Sequence, residues 1–211
     1  MNETKGWSFD DVCEEIEARD RRQVDAYNAK VSKKRRDRYV LRDELGPCPF
    51  EGDINGAPVV LLLGNPSSKD VVPGDHVAPG HDFPLWGLGP DASPELRKWW
   101  SSRLGKLIED YGVRHVARSV AALQLNPWAS LAFDSSLELG SRSLMFDIAE
   151  SVIRRQGVLV VIRARKAWNA CPGLELYGSR IQTNSQLCSY ISPGNFAPGD
   201  WLKIVASVKP T

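Results

Sequence analysis

The chain has 211 residues, 42% of them hydrophobic, and a formal net charge of +1. That length buries a substantial core in one domain, or in one domain with an extension. The near-neutral balance excludes a uniformly basic protein, and no apolar run is long enough to span a membrane.

No signal-peptide pattern opens the sequence, and Cys13, Cys48, Cys171 and Cys188 lack C-x-x-C spacing, so they read as reduced thiols of a cytoplasmic protein. The charge is uneven. From Arg19 to Arg42 there are ten Lys/Arg against three Asp, roughly +7 locally, while Glu3, Asp10, Asp11, Glu14, Glu15 and Glu17 precede them. Ser8 or Asp10 caps a helix through Phe9, Val12, Ile16, Val24, Tyr27 and Val31, and its far end carries Lys33, Lys34, Arg35 and Arg36. The apolar stripe is thin, which predicts an arm over residues 1–46 packed outside the central core. Its basic run is either a solvated helix face or a phosphate-facing patch.

Pro47 to Pro58 reads as an extended, turn-punctuated lead-in. Val59-Val60-Leu61-Leu62-Leu63 then empties into Gly64-Asn65-Pro66-Ser67-Ser68, a strand buried on both faces followed by a tight polar loop. Residues 69–92 are rich in Gly, Pro, Asp and His without periodicity, and Phe83, Pro84, Leu85 and Trp86 argue for an ordered, packed loop. Ser93-Pro94-Glu95 opens a helix with Leu96, Trp100, Leu104, Leu107 and Tyr111 on its apolar face and Gly112 at its end. Val120 to Leu125 repeats the first pattern and runs into Asn126-Pro127-Trp128-Ala129-Ser130.

A helix over 141–156, a third buried strand over 158–162 ending at Arg163-Ala164-Arg165, a short strand near 180–184 and a final helix over 198–208 complete the order. Strands alternating with helices predict an α/β fold: a three-layer α/β/α sandwich around a mostly parallel four-stranded sheet. Ligands of such sheets bind beyond the carboxyl ends of the strands. That edge collects Asn65, Ser67, Ser68, Asn126, Arg163, Arg165, Ser192 and Asn195, a polar-to-cationic set without a carboxylate dyad.

His76, His81 and His115 have no metal-ligand spacing, and neither a metal nor a cofactor is expected. The G-x-S-x-G elbow, the P-loop and the G-x-G-x-x-G fingerprint are all missing. What remains suits a planar polar heterocycle beside a phosphate backbone. An Asn amide offers a donor and an acceptor on one edge, and Phe83, Trp86 or Trp128 would stack on the ring. The bland alternative stands beside this: Asn-Pro after a strand is also an ordinary turn whose Asn bonds its own backbone.

The run Val60 to Ser67 resembles the first motif of the uracil-DNA glycosylase superfamily, in particular the Asn-Pro-Gly of its mismatch-specific uracil/thymine branch. The Pro49-Phe50-Glu51-Gly52-Asp53 lead-in is similar to that of uncharacterised bacterial members. The likeness spans roughly residues 47–205. It implies a glycosylase-like α/β/α domain over 47–211 that acts in DNA repair by base flipping, with uracil- or mismatch-containing DNA as partner. Asn65 would position the attacking water, Phe83 or Trp86 would stack on the extruded base, and Asn126 would read its edge. Ser192-Pro193-Gly194-Asn195 would stand for the closing loop, with Ser192 near the leaving base. Lys33, Lys34, Arg35, Arg36, Arg163, Arg165 and Asn195 would meet the nucleic acid. The chain departs from the family in having Ser67 where it has Gly, no catalytic Asp in the first motif, Ser192 in place of Asn or His, and no paired cysteines for an iron–sulfur cluster. A non-catalytic binder of nucleic acid or nucleotide is the alternative. Oligomeric state is left open.

Overall fold

The computed structural model describes residues 6–67, 82–185 and 188–210. Three apolar runs form its central strands: β2 (Val59–Leu63), β3 (Val120–Gln124) and β4 (Val158–Val161), every residue of which is buried. β5 (Arg180–Gln182) extends the sheet beyond β4, and β1 (Phe50–Glu51) lies along the outer side of β3. The order is β1-β3-β2-β4-β5. β2 pairs in parallel with β3 (Val59 opposite Val120) and with β4 (Val59 opposite Val158), and β4 pairs in parallel with β5.

The sheet is therefore mixed and, among the described residues, five-stranded, not the four-stranded sheet expected. The added strand is antiparallel, with Phe50 opposite Leu123. Two residues carry no periodicity, and the neighbouring Pro49, which lacks an N–H, suits a sheet margin. Pro49 still contributes its carbonyl, which accepts from Gln124 N at 2.8 Å.

Successive residues of a strand face opposite ways, and the two faces build two apolar clusters. Val60, Leu62, Ala121, Leu123, Leu159 and Val161 face α1 (Phe9–Lys30), α6 (Arg142–Arg154) and Trp168 of α7 (Arg165–Trp168). Val59, Leu61, Val120, Ala122, Val158 and Val160 face α3 (Pro94–Arg103), α4 (Gly105–Tyr111), α5 (Val113–Ser119) and α8 (Pro198–Val208).

The N-terminal helix is not an arm outside the core. Val12, Ile16 and Val24 of α1 are buried in the first cluster with the strands themselves. Its thin stripe includes Asp20, which is fully buried and anchors α1 to the rest of the fold by hydrogen bonds. Ser8 caps the helix by accepting from Asp11 N at 3.4 Å. The helix stops at Val31, and the basic residues form a separate short helix, α2 (Lys33–Tyr39).

The helix expected from Pro94 to Tyr111 is likewise divided, at Leu104. His115 lies in α5, just ahead of β3. No described helix is long and apolar enough to cross a membrane.

Candidate functional site

β2 is a topological switch point. The chain leaving it returns through α3, α4 and α5 on one face, whereas the chains leaving β3 and β4 return through α6 and α7 on the other. Diverging connections open a crevice at the carboxyl end of the strand between them, where ligands of α/β sheets bind. Asn65 stands at that point.

The loops leaving β2 and β3 continue side by side. Leu125 N donates to Leu63 O at 3.2 Å, Asn126 N to Gly64 O at 2.8 Å and Ser130 N to Pro66 O at 3.1 Å, and Ser67 bridges Ser130 in parallel. Both Asn-Pro motifs thus reach one edge. Arg163 leaves the end of β4 on the other side of β2 and is half-buried.

The Asn65 amide is held by its nitrogen. Nδ2 lies 2.8 Å from Pro66 O, 3.0 Å from Ser130 O and 3.0 Å from Ser130 Oγ, which in turn donates to Ala132 O at 3.0 Å. Two carbonyls facing one end of the amide fix its orientation, because only the NH₂ group can donate to them. Oδ1 accepts no hydrogen bond from a described residue and is not among the buried unpartnered atoms. An acceptor is thereby presented, preoriented, at the switch point.

Asn126 is built differently, and its acceptor is not free to read a base edge. Its Oδ1 accepts from Trp128 N at 3.0 Å, so the acceptor caps its own turn, and the side chain is buried. Trp128 is no stacking surface either: it is fully buried and its Nε1 donates to Asp20 Oδ2 at 2.9 Å. Asp20 also accepts from Ser141 N at 2.7 Å and Ser141 Oγ at 2.6 Å, tying α1, the Asn126 loop and the start of α6 into one buried node.

Phe83 and Trp86 are anchored elsewhere. Leu85 N donates to Ala117 O at 3.1 Å, Asp82 pairs with Arg114 and Arg118, and both rings pack on the α3–α5 side of the core. Ala117 lies in α5, the helix that leads into the amino end of β3, so the turn is held on the side from which that strand is entered.

Arg165 turns along the edge, donating from Nη2 to Thr183 O at 2.6 Å, so it braces the exit of β4 against that of β5. Asn195, expected to touch nucleic acid, is buried; its Nδ2 donates to Tyr190 O at 2.8 Å and Cys188 O at 3.4 Å, stapling its own loop. Ser192 stands at the head of that loop, half-buried, with its carbonyl accepting from Asn195 N at 3.0 Å. Ser68, His76 and His81 lie outside the described residues.

On α2, Lys33, Lys34 and Arg36 are exposed. Arg35 is engaged, donating from Nη2 to Asp134 Oδ2 at 3.0 Å with its guanidinium 4.3 Å from the centre of the Tyr39 ring. Burial pushes the Asp134 carboxyl up, but hydrogen bonds from Ser136 and Tyr27 and the charge of Arg35 outweigh it and hold the group below its ordinary value.

Three residues of this architecture were not singled out from sequence as positioning groups: Ser130, Asp20 and Trp168, whose Nε1 donates to Leu63 O at 2.8 Å just before Asn65. Asp20 had a legible signal. It falls four residues after Ile16 and four before Val24, an acid inside the apolar stripe. Among the described residues no group of three or more His, Cys, Asp or Glu gathers as metal ligands would. No family model matches the chain, nor does any curated protein or solved structure.

Proposed function

We propose that the carboxyl edge around Asn65 is a nucleobase site of the uracil-DNA glycosylase kind, on an α/β/α sandwich of that type. In it an N-glycosidic bond to uracil or to a mismatched or damaged base in DNA is hydrolysed. One observation carries this reading: the Asn65 amide, clamped through Nδ2 by Ser130 and Pro66, leaves Oδ1 as an acceptor at the switch point.

An acceptor so held orients a water by taking one of its protons in a hydrogen bond, with the water oxygen turned toward the anomeric carbon. As the bond between that carbon and the base nitrogen breaks, the sugar gains positive charge and the leaving base carries the electron pair away. A fixed polar site stabilises both without a covalent nucleophile. Ser67 and the amide nitrogen of Asn126 are the base-side groups, Ser192 faces the leaving base or its backbone, and Arg163 supports a phosphate. Extruding the base costs on the order of a few kcal/mol, least for a mismatched or already single-stranded base.

Binding without cleavage is the second reading. The capped acceptor of Asn126 favours it, because an amide already spent on its own turn discriminates bases poorly. Oligonucleotides carrying one uracil, opposite guanine and in single strands, separate the two. Alkali-labile breaks that vanish in Asn65→Ala establish turnover at this site. Salt-dependent binding without breaks establishes the binder.

A further inference from the structure

A cavity of about 230 Å³ is lined by Tyr27, Lys30, Val31, Ser32, Arg35, Asp134 and Ser136. It sits where α1 gives way to α2, and a hydrogen-bonded path leads from the candidate site to α2, whose Arg35 lines the cavity. Asn65 Nδ2 donates to Ser130 Oγ, Ser130 Oγ donates to Ala132 O, and Ala132 N donates to Arg38 O of α2 at 2.8 Å. Ser130 and Asp134 are four residues apart, which limits their separation to about 14 Å.

The cavity's polar groups divide sharply. The one carboxylate is saturated by protein donors: Asp134 Oδ1 accepts from Ser136 N at 3.0 Å and Ser136 Oγ at 2.6 Å, and Oδ2 from Tyr27 Oη at 2.9 Å and Arg35 Nη2 at 3.0 Å. Four donors fill the acceptor capacity of a carboxylate. The groups left over are donors. Lys30 Nζ and Ser32 Oγ have no acceptor among the described residues, and Arg35 has given one N–H of its five to Asp134. Arg35 is also preorganised, gripped by Asp134 on its edge and by the Tyr39 ring on its face, so it loses little freedom on meeting an anion. Outside the rim, α2 adds Lys33, Lys34, Arg36 and Arg38 against a single Asp37.

We propose that this cavity seats a backbone phosphate of the nucleic-acid strand whose base occupies the Asn65 edge, with Lys30, Ser32 and Arg35 as its donors. The assignment rests on the nucleobase reading of that edge, and it changes the role of the basic segment. Arg35 is a fixed phosphate ligand rather than one of several solvated charges, and Asp134 and Tyr39 are the groups that position it.

The test is binding of an unmodified oligonucleotide, followed by fluorescence anisotropy over a range of salt concentrations. Each lost phosphate contact lowers the slope of log K against log salt by about 0.7 for a single strand and about 0.9 for a duplex. Lys30→Gln removes an exposed amine with no partner among the described residues, so folding is not at stake. It is expected to weaken binding several-fold and to lower the slope by part of that amount, with Arg35→Gln doing the same and the double variant losing all of it. Lys203→Gln, on α8, leaves both unchanged. An unaltered slope in both Lys30→Gln and Arg35→Gln overturns the proposal. So does saturation of the parent by inorganic phosphate, lost in Lys30→Gln, with no oligonucleotide bound. Salt-dependent binding with the expected Lys30→Gln loss but no base release supports the phosphate seat and counts only against cleavage.

Discussion

Replacing Asp20 with Ala removes the acceptor of a buried three-donor node: Trp128 Nε1 at 2.9 Å, Ser141 N at 2.7 Å and Ser141 Oγ at 2.6 Å. A hydrogen bond to a charged group contributes about 1.5–3 kcal/mol, and each donor stranded in the interior costs about 1–3 kcal/mol. Release from burying the carboxylate offsets part of the loss. A Ser hydroxyl also reorients to a new acceptor more readily than a Trp N–H or a backbone amide. The net is a destabilisation of about 3 kcal/mol, against a typical total of about 5–15 kcal/mol for a domain. In a chain of this length that lowers the melting midpoint by about 6–12 °C. Urea unfolding followed by both circular dichroism and tryptophan fluorescence measures it. A double-mutant cycle with Trp128→Phe isolates the Asp20–Trp128 bond, with an expected coupling of about 1 kcal/mol or more. Asp20→Ala within 0.5 kcal/mol of the parent, a shift on the order of ordinary surface substitutions, would refute the reasoning that α1 is locked into the core through this carboxylate.

Other consequences follow from backbone geometry and burial. Gln156 adopts φ 61° after α6, so Gln156→Gly is expected to stabilise by about 0.5–1 kcal/mol in a thermal melt, whereas a Cβ on Gly157 would come within 2.8 Å of Val152 Cγ1 and Gly157→Ala should cost about 1–3 kcal/mol. The Tyr27 phenol is pushed up to about 12 by burial and by its hydrogen bond to Asp134. Its folded value exceeds its unfolded value of about 10, so its contribution to stability is complete below pH ~10 and is lost as pH rises toward 12. Spectrophotometric titration should show one late tyrosine that Tyr27→Phe abolishes. Burial first, and nearby acids second, push the Cys13 and Cys171 thiols up to about 12. At pH 8 these two should react with a disulfide reagent about a thousandfold more slowly in the native chain than after denaturation, since thiolate is the reactive form.

The strands β2, β3 and β4 were legible because strands buried on both faces need unbroken apolar runs, and Ser8, Ser93 and Pro94 announce their helices through capping chemistry. β1 was not, since two residues hold no pattern and its pairing depends on where β3 lies. The place of α1 was hidden for another reason. Its core face is completed by Asp20, whose burial makes sense only once Trp128 and Ser141 surround it. The shared edge of the two Asn-Pro motifs followed from strand order, but the opposite fates of their amides did not. Asn65 meets the carbonyl and hydroxyl of Ser130, 65 residues away, while Asn126 finds its partner two residues on. For Asn126 the ordinary-turn alternative describes the acceptor. A stacking role for Phe83 and Trp86 is what the glycosylase resemblance implies, and the bond from Leu85 to Ala117 ties their turn to α5.

The most direct measurement is single-turnover release of uracil from a duplex holding a uracil–guanine mismatch, by the parent, Asn65→Ala and Asn65→Asp. Removing a water-orienting acceptor should slow release by about a hundredfold or more, in the range found for positioned acid–base groups. Asp keeps the acceptor but points an anionic oxygen at Pro66 O and Ser130 O, so it should not restore the rate. Parent activity with both variants depressed is the predicted result. Release by the parent that survives unchanged in Asn65→Ala, or no release from any base-modified strand, would contradict the assignment of hydrolysis to the Asn65 edge.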